Sequence, residues 1–137
     1  MSLHLFVYGT LMSGGENHPL LAPHAELVGP GRMGGRLFVV DYYPGLVESE
    51  DPAETVVGEV WRLLQPDLLP ELDDFEQCTE VPPLFIRASR TVTMESGGPL
   101  SAWVYVYARS TSGMQPIPSG DWRAFHGAIS SRPAPVD

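Results

Sequence analysis

Leu3-His4-Leu5-Phe6-Val7-Tyr8-Gly9-Thr10-Leu11 decides how the rest of the chain is read. Residues 3–8 are a short apolar and aromatic run, the pattern of a buried strand. The run stops at Gly9, which lacks a Cβ and lets the backbone approach a ligand closely. Successive backbone N–H groups around Thr10 and Leu11 can then form a nest for a carboxylate or an oxyanion. The same residues also suit an ordinary strand-to-loop transition. The loop is not a phosphate loop, because no Lys-Ser/Thr follows, and the chain has no Gly-x-Gly-x-x-Gly fingerprint.

Downstream, Ser13-Gly14-Gly15-Glu16-Asn17 reads as a flexible loop, and Pro19 opens a brief helix through Leu20 and Leu21. Residues 25–28 and 35–40 read as strands separated by a Gly- and Pro-rich segment. Tyr43-Pro44-Gly45-Leu46 reads as a turn, with Pro presetting one φ and Gly supplying a positive one. Residues 55–63 form a strand, with Val57, Glu59, Trp61 and Leu63 on one of its faces. Residues 84–94 and 100–108 pair as a hairpin around Glu95-Ser96-Gly97-Gly98-Pro99. A late helix opens near Ser119-Gly120-Asp121, with Trp122, Phe125 and Ile129 at helical spacing. Residues 1–129 make one domain, and residues 130–137 are a polar, Pro-rich loose tail.

The helix over residues 66–76 carries the chemistry. On a wheel at about 100° per residue, Leu68, Leu69, Leu72 and Phe75 fall within an arc of about 120°. Glu76 lies inside that arc, Asp67 and Asp74 point away, and Glu71 and Asp73 flank it. An inward carboxylate without a partner has a raised pKa, which suits it to shuttling protons. Two plainer readings stand beside this one. The helix can finish early and turn Glu76 outward, or Glu76 can pair with Arg87 or Arg62.

Charge narrows the function classes. The net charge is −9, and all eight basic residues are Arg. An acidic chain without a basic stripe is a poor nucleic-acid binder, and anionic lipid surfaces repel it. No apolar run approaches a membrane span, and Met1-Ser2-Leu3-His4 does not open a signal peptide. The one cysteine, Cys78, fits a reducing, cytoplasmic setting, and no histidine lies at a spacing that would make it a nucleophile. His4, His18, His24 and His126 are scattered, so neither zinc nor another cofactor is expected. Trp61, Trp103 and Trp122 read as core aromatics. Arg87 and Arg90 sit on a strand, where a surface role outweighs binding of an anionic substrate.

Taken together, these pieces resemble the γ-glutamylcyclotransferase-like family, including its γ-glutamylamine cyclotransferases. Phe6-Val7-Tyr8-Gly9-Thr10-Leu11 is similar to the family's opening strand and substrate loop. Tyr43-Pro44-Gly45-Leu46 resembles its Tyr-Pro-Gly turn, and Gly58-Glu59-Val60-Trp61 resembles the strand that follows. Leu72-Asp73-Asp74-Phe75-Glu76 resembles the segment ending in the catalytic Glu. Tyr105 and Ser119-Gly120-Asp121-Trp122 also look like bacterial members. Two positions depart from the pattern. Gln77-Cys78 replaces the usual Gly after the Glu, and Phe85 stands where members commonly carry Tyr.

The resemblance implies an α+β fold, a small mixed β-barrel with short flanking helices. It implies a cytoplasmic enzyme with a small-molecule γ-glutamyl substrate and no cofactor, an acyltransferase or lyase in type. The substrate's α-amine would attack its own γ-carbonyl, releasing 5-oxoproline and an amine, amino acid or peptide. Glu76 would be the general base and acid. Tyr8, Gly9, Thr10, Leu11, Gly45 and Tyr105 would form the substrate site. A binding module without chemistry, or a cyclotransferase that removes a γ-glutamyl protecting group during biosynthesis, are the alternatives. Neither the leaving amine nor the oligomeric state is readable from the residues.

Overall fold

In a computed structural model, which describes residues 3–41, 43–76 and 83–125, the opening run forms β1 (His4–Val7). Its neighbours are far away in sequence. β1 pairs antiparallel with β5 (Thr55–Leu63), and Leu5 faces Trp103 in a parallel pairing with β7 (Pro99–Tyr107). β5 pairs with β2 (Ala25–Gly34), β2 with β6 (Phe85–Met94), and β6 with β7. The β1–β7 contact therefore closes five strands into a mixed barrel. Closure removes the open edges that a sheet would otherwise expose. β4 (Pro44–Val47), β3 (Arg36–Val39) and β8 (Pro116–Ile117) extend the sheet beyond β7. Leu5, Phe6, Leu21, Leu46, Val56, Val60, Val92 and Val104 are almost inaccessible to solvent and form the core. No helix among the described residues is long and apolar enough to cross a membrane.

Several strand boundaries differ from expectation. β2 is one strand running through the Gly- and Pro-rich segment. A register shift between Leu27 and Gly29 absorbs the irregularity, and Pro30 lacks only a donor that this position does not require. Its carbonyl still accepts the Glu95 N–H at 3.1 Å. Tyr43-Pro44-Gly45-Leu46 is not a turn. The chain reverses before Tyr43, whose carbonyl accepts the N–H groups of Val40 and Asp41, and Pro44 starts β4. A proline is tolerated at the first residue of a strand. Gly45 does not have a positive φ. Its value is space, because a Cβ there would lie 2.8 Å from Val40 and 2.9 Å from Tyr107.

The helix expected over residues 66–76 is α1 (Leu68–Phe75), one turn shorter. Leu68, Leu69 and Leu72 are buried as the wheel requires, but Phe75 is 38% exposed. The late helix is present at residues 122–125, with Trp122 buried; Ile129 and the expected tail lie outside the described residues. The loop over residues 13–17 is not loose. Gly15 N–H bonds to Met12 O at 2.8 Å, and Asn17 N–H to Thr10 O at 2.9 Å. His18–Leu20 then forms a 3₁₀ turn with Pro19 near its start.

β7 has two parallel neighbours on the same side. β1 pairs with it at Trp103, and β4 at Val106. Between them the Tyr8 hydroxyl takes the place of main chain. It donates to the Tyr105 carbonyl at 2.5 Å and accepts the Leu46 N–H at 3.2 Å. Tyr8→Phe would strand both buried groups, each costing about 1–3 kcal/mol. Urea unfolding should show a loss of about 2 kcal/mol or more. An unchanged midpoint would mean that the fork closes without the hydroxyl.

Candidate active site

The fork between β1 and β4 opens into a pocket. Its floor is the end of β1 and the loop Gly9-Thr10-Leu11, and Tyr105 of β7 lies alongside. Tyr43, Pro44, Leu84 and Phe85 also line it, as do Phe75 and Glu76 at the end of α1. Tyr8, Gly9, Thr10, Leu11, Glu76 and Tyr105 therefore share one cavity. Gly45 does not line it; the neighbouring Pro44 does. The bare face of Gly9 is filled by protein, since a Cβ would stand 2.8 Å from Pro44 Cδ. Gly9 thus lets β4 close against the loop.

Glu76 follows the last residue of α1. Its N–H still reaches Leu72 O at 2.8 Å, so Glu76 caps the helix, and it lines the pocket. Neither suspected cation pairs with it. Arg62 holds Glu26 at 2.9 Å, and Arg87 holds Asp73. Burial pushes the Glu76 carboxyl up to about 7. The negative end of the α1 dipole acts in the same direction. Near neutrality this group both accepts and returns a proton readily.

Asp73, one turn earlier, fastens the end of α1 to the barrel. Arg87 Nε and Nη2 donate to its two oxygens at 2.8 and 3.1 Å, and the Tyr105 hydroxyl donates to Oδ1 at 2.8 Å. Arg87 and Tyr105 are direct cross-strand partners. The Arg87 guanidinium also lies 4.5 Å from the Trp103 ring centroid, a cation–π contact. Arg90, the other strand arginine, pairs with Glu48 at the surface. The hydroxyls of Tyr8 and Tyr105 are thus engaged within the protein, so both residues act on the pocket mainly through their rings and backbone. Burial, and then the nearby Glu76 charge, hold the Tyr8 hydroxyl well above its usual range despite the Leu46 N–H.

The loop facing Glu76 is braced from behind. Glu59, 6% exposed, accepts the Ser13 N–H at 2.8 Å, the Trp61 indole N–H at 3.2 Å and Arg123 at 2.9 Å. Burial alone would raise its pKa, but these donors hold it below the usual carboxylate range. Asn17 donates from Nδ2 to Thr10 Oγ1 at 2.9 Å and lines the pocket. Among the described residues, the N–H groups of Gly9, Thr10 and Leu11 have no protein acceptor. Sequence reasoning read Asn17 only as part of a loop, the stretch 14–18 expected to border the leaving-amine end, and missed the role of Glu59. The latter was detectable, because strand alternation puts Glu59 on the face of Trp61 and Leu63.

The family described as gamma-glutamyl cyclotransferase, AIG2-like, matches residues 5–124. The chain belongs to this family. The γ-glutamylcyclotransferase family protein YtfP of Escherichia coli is 32% identical over 123 residues, 88% of this chain and 96% of that protein. A γ-glutamylaminecyclotransferase of Bos taurus is 32% identical over 115 residues, 76% of this chain and 65% of its own length. The mouse AIG2-like protein superimposes with a TM-score of 0.75 at 26% identity, covering 98% of this chain and 97% of that one.

The geometry predicts a stability signature that needs no substrate. A Glu has a pKa of about 4.3 in an unfolded chain. With a folded value near 7, the native state holds its proton more tightly than the unfolded state. Glu76 therefore destabilises the fold increasingly as pH rises between these values. Part exposure reduces the cost to about 2 kcal/mol above pH 7. Glu76→Gln should be more stable than the parent by this amount at pH 8, with the gain fading by pH 5. A pH-independent difference in urea titrations would show that Glu76 is not desolvated.

Proposed function

We propose that the chain cyclises a γ-glutamyl group to 5-oxoproline and releases the amine it acylated. The carrying observation is Glu76, a carboxylate with no cation beside it among the described residues and a pKa of about 7, in one pocket with the Gly9-Thr10-Leu11 loop. The family's name and the bovine relative's name support the same reading.

The substrate brings its own nucleophile. Its α-ammonium gives a proton to the Glu76 carboxylate, and the freed amine attacks the γ-carbonyl. A C–N bond closes the five-membered ring as the carbonyl becomes an oxyanion. Glu76 passes that proton to the amide nitrogen, the oxyanion collapses and the original amide C–N bond breaks. The ring nitrogen then gives its second proton to Glu76, which hands it to the released amine, leaving 5-oxoproline with a neutral lactam ring, an ammonium and the Glu76 carboxylate as it began. No water is consumed and no acyl-enzyme forms. Backbone N–H groups of Gly9, Thr10 and Leu11 hold the α-carboxylate or the oxyanion. The protein's main task is to keep the glutamyl chain folded back, and such positioning is worth about 7–11 kcal/mol in well-oriented intramolecular reactions.

Glu76→Gln should lower kcat for 5-oxoproline release by about 10²–10⁴-fold, typical of losing a positioned acid–base group. Normal turnover by that variant would remove Glu76 from the chemistry. Since the ionised form takes the first proton, kcat/KM of the parent should fall as pH drops through about 7. A limb positioned near pH 4 instead would mean that the reacting carboxylate is not desolvated.

A further inference from the structure

We infer that Asn17 holds the glutamyl end of the substrate. Its carboxamide oxygen takes the α-ammonium, and its NH₂ group sets the neighbouring Thr10 hydroxyl to donate to the α-carboxylate. This inference rests on the cyclotransferase reading above and adds two side chains that touch substrate. A γ-glutamyl substrate presents an ammonium and a carboxylate on one carbon, so its site needs an acceptor and a donor side by side. When Glu76 takes one ammonium proton, the others still need an acceptor. The Tyr8 and Tyr105 hydroxyls that line the pocket are spent on Tyr105 O, Leu46 N–H and Asp73. Asn17 and Thr10, which also line it, are different. Asn17 Nδ2 donates to Thr10 Oγ1 at 2.9 Å, which joins the two side chains into one unit.

That unit has bonding capacity left over. Thr10 Oγ1 accepts from Asn17, so its own O–H proton can turn to another acceptor, and it has none among the described residues. Accepting one bond also polarises the hydroxyl and strengthens the bond it donates. Asn17 Oδ1 likewise has no donor among the described residues. Neither group is needed to build the loop, because the main chain does that. Asn17 N–H bonds to Thr10 O at 2.9 Å, and Leu20 N–H to Asn17 O at 3.0 Å. The Asn17 side chain makes no cap bond to the 3₁₀ turn that follows it. A carboxamide kept at a pocket by a loop that closes without it is available to a ligand. Its partner Thr10 belongs to the loop that takes the α-carboxylate or the oxyanion in the proposed reaction. Asn17 therefore serves the glutamyl end and not the leaving amine.

The test measures calorimetric binding of three ethylamides to Glu76→Gln protein, with and without a second substitution. γ-Glutamylethylamide carries both charged groups, 4-aminobutanoyl ethylamide only the ammonium, and glutaryl ethylamide only the carboxylate. Asn17→Ala should weaken the two ammonium compounds about 10–100-fold, the worth of a hydrogen bond to a charged group, and glutaryl ethylamide several-fold less. Thr10→Val, which keeps the β-branched shape, should reverse the order, costing glutaryl ethylamide more than 4-aminobutanoyl ethylamide. If Thr10→Val does not fold, the pattern in Asn17→Ala decides alone. A purely structural role for Asn17 would weaken all three compounds alike, and that result would overturn the inference. Unchanged binding in Asn17→Ala, or no binding of any compound before the second substitution, would overturn it as well. The reaction is read separately, as 5-oxoproline released from γ-glutamylethylamide by the parent. Release together with equal losses overturns the inference and keeps the cyclotransferase reading. Selective losses without release keep the ligand assignment and end the reaction assignment.

Discussion

The Tyr8 hydroxyl is the constraint on which the rest of this structure depends. β7 must share one side between β1 and β4, and no main-chain group fills the junction. The Tyr8 side chain supplies the missing acceptor for Leu46 and the missing donor for Tyr105. This lets β1 leave the sheet at Gly9 without stranding buried polar groups, which would otherwise be costly. The space between the departing β1 and the incoming β4 becomes the pocket. Pro44 packs into the face that Gly9 leaves bare, so the same junction sets the distance between the loop and β4. Barrel closure and the site are thus one structural event.

The two buried carboxylates show how one small fold creates opposite electrostatic environments. Glu59 is buried, yet its three donors hold its pKa below the usual carboxylate range. Its charge serves to hold the loop through Ser13 and the 122–125 helical segment through Arg123. Glu76 is also desolvated by burial, has no cation beside it among the described residues and stands at the negative end of a helix, so its charged form is the disfavoured one. Burial alone does not decide which carboxylate is poised for proton transfer. The supply of donors decides it, and such divergence within one site is the usual basis for dividing structural from acid–base roles.

Much of the fold was legible because its signals are local. Alternation marked β5 at residues 55–63, and the β6–β7 hairpin matches to within a residue or two at each end. The parallel β1–β7 pairing that closes the barrel leaves no such mark, since it joins residues about a hundred positions apart. Pro44 and Gly45 were misread for a related reason. Their turn chemistry is real in isolation, but Tyr107 and Val40 impose an extended path on them. In the site, the helical wheel placed Glu76 on the apolar arc, and its side chain does enter the pocket. Phe75 shared that arc but is partly exposed, because a wheel describes a helix only while the helix continues. Asn17 read only as part of a loop, as its partner Thr10 is met only after the loop folds back on itself.

Tyr105 shows why the site's polar groups are spent mostly on the protein. Its carbonyl holds Tyr8, and through it the start of the Gly9-Thr10-Leu11 loop. Its hydroxyl holds Asp73, and through it the end of the helix that delivers Glu76. One residue near the end of β7 therefore ties the loop and the end of α1 to the same strand. Under the proposed reaction, substrate supplies both nucleophile and electrophile, so the enzyme's advantage lies in geometry rather than in a reactive side chain. That advantage falls steeply with small misplacements. A hydroxyl that tied the helix to the barrel would then contribute more than one that touched the substrate. The proposed chemistry would then ask of so small a chain little more than the Glu76 carboxylate and a short run of backbone N–H groups.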